Sequence, residues 1–224
     1  MQYTRMDLTP VLISCKTASI SIVVTFFLGL AAAAWVAGIR SRFWKMALDG
    51  VLTLPLVLPP TVAGFFLLYV FGLRGPVGRF FVHFFGVKIA FSWGSTVLAA
   101  ALIAFPLMYR SARGALEQVE PELVYAARTL GMSEAKIFWR VSLPVALPGI
   151  AGGAVLAFAR GLGEFGATAM IAGNIAGKTR TLPLAIYSET AAGNMNMAGR
   201  YVLIIVLFSF ITVALLNYFA GKKR

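Results

Sequence analysis

Uncharged, mostly apolar runs alternate with short charged segments along this chain of 224 residues. Five runs of 19 to 24 residues cover positions 17–39, 50–73, 89–109, 141–159 and 201–221. Because about 20 apolar residues in a helix cross the hydrocarbon core of a bilayer, each run is long enough for one spanning helix. The pattern predicts an all-α, polytopic membrane protein with about five transmembrane helices, organised as one transmembrane domain over residues 1–224.

The fourth run continues past residue 159, because Arg160 and Glu164 are the only charges between positions 141 and 177. A helix of this length would measure roughly 55 Å, nearly twice the hydrocarbon thickness but short for two crossings and a turn. We therefore expect one long or broken crossing with its tail outside the bilayer. Gly161, Gly163 and Gly166 mark the expected place of the break.

Composition supports a membrane protein and excludes several other classes. Hydrophobic residues make up 59% of the chain and charged residues 12%, whereas a soluble domain has about 25% charged residues. The net charge of +12 comes mostly from Lys and Arg between the runs, where they act as topology signals and lipid contacts, so we expect no nucleic-acid partner. Cys15 is the single cysteine and His83 the single histidine, so the sequence predicts no catalytic residue, metal site or bound cofactor.

The positive charges also predict the orientation. With the C-terminus in the cytoplasm, the inner segments hold eleven Lys and Arg residues and the outer segments hold eight. Because cytoplasmic loops carry the excess of positive charge, we expect an N-out, C-in arrangement. The longest polar segment, about residues 110–140, is then cytoplasmic.

This polar segment has the start and stop signals of two short helices. Pro121 suits a first helical turn, Glu122 favours the positive N-terminal end, and Gly131 would end the helix. Ser133 can then cap a second helix, Glu134–Trp139. Two short helices at an angle can fill a groove in a soluble partner.

Tyr125, Ala126 and Ala127 are followed after three residues by Gly131, and then by the stretch Val141–Pro144. This spacing resembles the EAA loop of permease subunits in binding-protein-dependent ABC importers. One position departs from that pattern, because Tyr125 stands where the family has glutamate. The resemblance implies that two cytoplasmic coupling helices contact the ATPase. The candidate coupling residues are Glu122, Tyr125, Ala126, Ala127, Arg128, Gly131, Met132 and Ser133.

Further stretches, over residues 54–64, 91–93, 126–131 and 156–168, are similar to permease subunits of bacterial molybdate importers. The resemblance implies a type I ABC importer permease that moves molybdate, or the chemically similar tungstate, across the inner membrane by alternating access. It also implies a homodimer, two ATP-binding cassette subunits that hold ATP and Mg, and a periplasmic molybdate-binding protein. Sulfate permeases share residues 163–167, so a sulfate or other oxyanion permease is the alternative.

Two stretches are candidates for the transport pathway. One is the double-proline stretch of the second run. The other follows Arg160 and Glu164, whose spacing of four places them on one helical face, where they can pair. The pair either braces the glycine-rich break or gates the route. The candidate pathway residues are Pro59, Pro60, Thr61, Gly64, Arg160, Gly163, Glu164, Phe165, Gly166 and Thr168.

Two other classes of function fit the sequence less well. A membrane-embedded enzyme would need convergent acids, histidines or a metal site, and the eight acidic residues are scattered. A secondary transporter typically has two related halves, and the sequence has no repeat. The stretch Gly173–Thr179 resembles a phosphate-binding loop, but its glycines are one residue too close together. We therefore expect a transport component, not an enzyme, that depends on a separate ATPase.

Overall fold

The computed structural model describes residues 6–221, and within this range the chain forms helices and no strands. One π-helical turn, Phe138–Ser142, lies between the seventh and eighth helices. The helices in the described range are α1 (Thr9–Ala37), α2 (Arg42–Val57), α3 (Pro60–Phe71), α4 (Pro76–Phe85), α5 (Trp93–Glu117), α6 (Pro121–Thr129), α7 (Glu134–Ile137), α8 (Leu143–Leu162), α9 (Gly166–Ala172), α10 (Leu182–Ala191) and α11 (Met195–Gly221).

Four helical stretches in the described range are long and apolar enough to cross a membrane. They are α1, α5, α11 and the continuous helix Glu134–Leu162, which α7, the π-helical turn and α8 form together. The bent pair of α2 and α3 passes the same test when it is taken as one crossing. With that pair included there are five crossings, as the sequence predicts.

The second apolar run is two helices and not one. The sequence predicts a single helix over residues 50–73, but α2 and α3 meet at an angle of 107°. Leu58 has extended backbone angles, φ −67° and ψ 140°, which a residue before a proline prefers. Pro60 then begins α3, where its missing N–H is not needed. Two adjacent prolines therefore end one helix and start the next.

The second of the two predicted coupling helices is not a separate helix. The sequence predicts Glu134–Trp139 as a short element, but α7 continues through the π-helical turn into α8. No glycine lies between Ser133 and Pro144 to end the helix. Pro144 is the second residue after the π-helical turn, a local irregularity of the kind that accommodates a missing backbone N–H. The first coupling helix, α6, is separate.

The predicted break in the fourth run is confirmed, since α8 ends at Leu162 and α9 begins at Gly166. The chain outside the crossings is more helical than the pattern of runs suggests. Two helices of 10 residues, α4 and α10, lie between the long apolar runs.

The centre of the bundle is the contact of α5 with α1 on one side and α8 on the other. Small side chains such as Ala33, Ala112 and Ala157 are buried there and let the helices approach closely. The hydroxyls of Thr17 in α1 and Thr96 in α5 share a hydrogen bond of 2.9 Å. This contact satisfies two polar groups that would otherwise be costly to bury.

Candidate functional site

The break between α2 and α3 lies against the break between α8 and α9. Gly64 of α3 marks the closest approach, because a Cβ there would lie 2.6 Å from the Cα of Ala167 in α9. At the start of α9, a Cβ on Gly166 would lie 3.0 Å from the Cβ of Pro60. Because glycine has no Cβ, the backbones of α3 and α9 can approach each other this closely, and the two helices begin side by side.

A cavity of about 280 Å³ opens where the two breaks meet. Three candidate pathway residues do not line this cavity: Pro59 precedes α3, Gly64 lies in the contact between α3 and α9, and Thr168 is buried in α9. Two stretches far apart in the sequence thus form one site, while its role as the transport route stays a prediction. The candidate pathway residues that line the cavity are Pro60, Thr61, Arg160, Gly163, Glu164, Phe165 and Gly166.

Arg160 and Glu164 form the predicted ion pair, with 2.9 Å between Nη1 and Oε2. They do not share a helical face as predicted, because α8 ends at Leu162 and Glu164 lies in the break. Within the described residues Oε2 accepts no hydrogen bond in good geometry, so the charge of Arg160 is what compensates it. The other oxygen, Oε1, accepts a hydrogen bond of 2.8 Å from the backbone N–H of Ala167. Glu164 therefore also caps the first turn of α9, where a carboxylate suits the positive helix end.

The two charges of this pair differ in burial. The side chain of Glu164 is 1% exposed and that of Arg160 is 32% exposed. The carboxylate is therefore the buried partner, and the guanidinium lies in the wall of the cavity. Contacts on both sides of the break support the bracing role, and they leave the gating role as a prediction.

Phe165 links the cavity to a helix that the sequence did not predict. Its ring centroid lies 5.3 Å from that of Tyr187 in α10. α10 is in turn joined to α1, since the backbone N–H of Leu182 donates to the Oγ of Ser14 at 2.7 Å. The wall of the cavity is thus connected to the first helix of the bundle.

The end of the coupling helix α6 has the geometry that its sequence predicts. Gly131 has a φ of +73°, a conformation that glycine adopts without strain. The N–H of Gly131 donates to the carbonyl of Arg128 at 2.9 Å, and that of Met132 donates to the carbonyl of Ala127 at 3.1 Å. These two hydrogen bonds are those of a Schellman motif. Ser133 then caps α7 with its hydroxyl oxygen.

Most of the candidate coupling residues lie on an exposed surface. Tyr125 is 60% exposed, and the guanidinium of Arg128 lies 5.7 Å from the centre of its ring. Arg128 also pairs with Glu134 through two contacts of 2.7 and 3.0 Å, which join α6 to α7. This pair could not be predicted from sequence, because a spacing of six residues does not place two side chains on one helical face. Exposed are Glu122, Tyr125, Ala126, Arg128, Gly131 and Ser133, whereas Ala127 is buried and Met132 half-buried.

A polar cluster that we did not predict joins α2 to the end of α5. Arg113 contacts the carboxylate of Asp49, which also accepts a hydrogen bond of 2.5 Å from the hydroxyl of Tyr109. Lys45 and Arg113 pair with Glu117 at 2.8 and 3.0 Å. The cluster borders a cavity of about 360 Å³ at the end of α5, which precedes the coupling helix α6. Within the described residues no group of three or more His, Cys, Asp or Glu could hold a metal ion.

The family model for the inner membrane component of binding-protein-dependent transport systems matches residues 25–224. The chain belongs to this family. It is 45% identical over 217 residues to the molybdenum transport system permease protein ModB of Escherichia coli (strain K12), which covers 96% of this chain and 93% of ModB. It is 43% identical over 216 residues to the putative molybdenum transport system permease protein YvgM of Bacillus subtilis (strain 168), with the same coverage. The chain is a multi-pass membrane component of a transport system and not an enzyme.

Solved structures of the same kind share the fold. A chain of the MetNI methionine ABC transporter in an inward-facing conformation matches with a TM-score of 0.68 and 17% identity over 94% of both chains. A chain of a bacterial ABC transporter that imports alginate matches with a TM-score of 0.75 and 13% identity, over 98% of this chain and 80% of that one. This chain thus has the fold of type I ABC importer permeases.

Proposed function

We propose that this chain is the transmembrane subunit of an ATP-driven importer of molybdate or tungstate. The observation that carries the proposal is the 43–45% identity to two permease proteins that are named for molybdenum transport. Since these matches cover 96% of the chain, the similarity extends over the helix breaks and the coupling segment as well as the scaffold.

The proposed assembly contains two copies of this chain, two ATP-binding cassette subunits and a periplasmic molybdate-binding protein in the bacterial inner membrane. ATP and Mg are held by the cassette subunits. The family description, a component of binding-protein-dependent systems, supports the third partner. In the N-out, C-in orientation, α6 faces the ATPase, and the exposed Tyr125 in α6 and Leu130 directly after it offer apolar surface for docking.

In this proposal, closure of the ATPases displaces α6, and the displacement reaches α2 through the contact of Arg113 with Asp49. α2 ends at the break that lines the cavity beside Arg160. A passing oxyanion meets one guanidinium there, and the neighbouring carboxylate keeps the interaction weak enough for release. The delivery protein then supplies most of the selectivity.

Uptake of labelled molybdate tests the proposal in proteoliposomes that contain the chain, its ATPase and its binding protein. We expect uptake that depends on ATP and is blocked by vanadate. Unlabelled tungstate should compete strongly with labelled molybdate, and sulfate should compete much more weakly. Equal competition by sulfate and molybdate would favour the sulfate alternative. Uptake that is insensitive to vanadate would favour a secondary transporter.

Cysteine labelling tests the orientation in intact cells. In a Cys15→Ala background, Ser133→Cys should react with a membrane-permeant maleimide and not with an impermeant one. Ala192→Cys, an exposed position after α10, is the matched outer control and should react with both. The reverse labelling pattern would show that the chain has the opposite orientation.

A further inference from the structure

The helix α4 has two chemically different faces. At about 100° per residue, Phe80, Phe81, Phe84 and Phe85 fall within an arc of about 140°, whereas Arg79 lies on the other side of the helix. The four rings contact one another, with centroids 4.7–6.2 Å apart. Their residues are 36–66% exposed, and α4 packs mainly against α3. A large aromatic surface is therefore left uncovered.

A cavity of about 450 Å³ lies between the end of α3 and the start of α4, and it shares no lining residue with the cavity at the helix breaks. Its wall includes apolar side chains, among them Leu68, Leu73 and Phe91, and two arginines, Arg74 and Arg79. This combination suits a ligand that has both an anionic group and a hydrocarbon part.

The positive charge around this cavity has no local acidic counterpart. The sequence holds no Asp or Glu between Asp49 and Glu117, while Arg74, Arg79 and Lys88 flank or belong to α4. Among the described residues, neither of the two arginines forms an ion pair. An anion from outside the chain would therefore complete this site.

α4 lies at the membrane surface opposite the coupling helix. The chain enters α5 after α4 and leaves it before α6, and the 25 residues of α5 rise about 37 Å, which exceeds the hydrocarbon thickness. A helix with an aromatic face and basic flanks is typical of the interface between lipid and water. The anions found at this depth are the phosphates of phospholipids.

We propose that the cavity between α3 and α4 binds an anionic phospholipid. Its phosphate lies between Arg74 and Arg79, one acyl chain follows the apolar wall, and the phenylalanine face of α4 inserts among neighbouring lipids. A free oxyanion shares the tetrahedral oxygen chemistry, but it would leave the apolar wall and the four aromatic rings without a role. The bound lipid holds the outer end of α3, the helix whose other end lines the cavity beside Arg160.

Native mass spectrometry of the purified full chain tests this site by titration with phosphatidylglycerol and with phosphatidylcholine of the same acyl chains. We expect tighter binding of phosphatidylglycerol, and about fivefold weaker binding after Arg74→Gln or Arg79→Gln. Lys88→Gln is the matched control, because it removes the same charge from the same segment outside the cavity. It should leave the affinity unchanged, and Arg79→Lys should keep most of it.

Three results would overturn the proposal. An equal loss in Lys88→Gln would mean general surface attraction, and equal binding of the two lipids would mean that the arginines do not select an anionic headgroup. Displacement of the lipid by excess molybdate would mean that the cavity takes a free oxyanion. Because lipid binding is measured without transport, a failure of the molybdate uptake experiment would not affect the test of the lipid site.

Discussion

The two members of the pair Arg160–Glu164 should respond unequally to neutralisation, because they differ in burial. Glu164→Gln leaves a guanidinium that is 32% exposed and can still be hydrated, and the amide oxygen can still accept from the N–H of Ala167. Arg160→Gln instead leaves a carboxylate that is 1% exposed, with one backbone donor. The second variant should be the less stable one.

The magnitudes follow from the charge that each variant leaves behind. Removing one partner of a buried pair costs about 3–5 kcal/mol, and we expect about 3 kcal/mol for Arg160→Gln because the start of α9 still stabilises the carboxylate. We expect about 1 kcal/mol for Glu164→Gln, since the remaining cation is partly exposed. The double variant Arg160→Gln/Glu164→Gln buries no unpaired charge and should lose only about 1 kcal/mol, which makes it more stable than Arg160→Gln alone.

The assay is denaturation of the purified complex in mixed micelles, together with vanadate-sensitive uptake for each assembled complex. If the pair only braces the break, the double variant transports nearly as well as the unmodified chain. If the pair gates the route, the double variant is stable but slow. Equal costs for the two single variants, or a double variant as unstable as Arg160→Gln, would refute the reasoning from burial. A charge swap is a poorer test, because arginine at position 164 could not accept from Ala167.

Three further predictions concern backbone space and helix contacts. Gly131→Ala should cost about 1 kcal/mol through its φ of +73° alone, since a Cβ there meets nothing within 4 Å, and it should weaken co-purification of the ATPase. Gly114→Ala, equally open but helical, should be neutral or slightly stabilising, and equal losses at the two sites would contradict the conformational argument. Gly64→Ala should lower the melting temperature and the uptake rate far more than Gly114→Ala, because its Cβ would collide with the backbone of α9. Asp49→Asn should raise the ATP hydrolysed per molybdate imported, because Arg113 loses its carboxylate, and an unchanged ratio would argue against a coupling role for the cluster.

The long crossings could be predicted because length and apolar composition are local properties of a segment. The effect of a proline on a helix depends on its neighbours in sequence. Pro55 and Pro106 lie inside α2 and α5, whereas Pro59 and Pro60 separate two helices. A single proline removes one backbone N–H, which neighbouring groups in a membrane bundle can compensate. Two in succession restrict two consecutive residues, because Leu58 and Pro59 each precede a proline, and both have extended ψ angles of 140° and 133°. This combination produces the bend.

The charged contacts also differ in whether they are local in sequence or depend on packing between helices. Arg113 and Glu117 are four residues apart on one helix, so the sequence spacing alone allows their pair. Arg160 and Glu164 have the same spacing, which predicts their pair, although Glu164 lies in the break beyond the end of α8. Asp49 and Arg113 meet only through packing between separate helices, α2 and α5. A pair within one helix survives any rigid movement of that helix, whereas a contact between helices must hold or break when they move. In the proposed alternating access, the contact of Arg113 with Asp49 is therefore an interaction that can differ between states. Crosslinking or distance measurements across this contact, with and without ATP, should change more than any distance within α5 or α8.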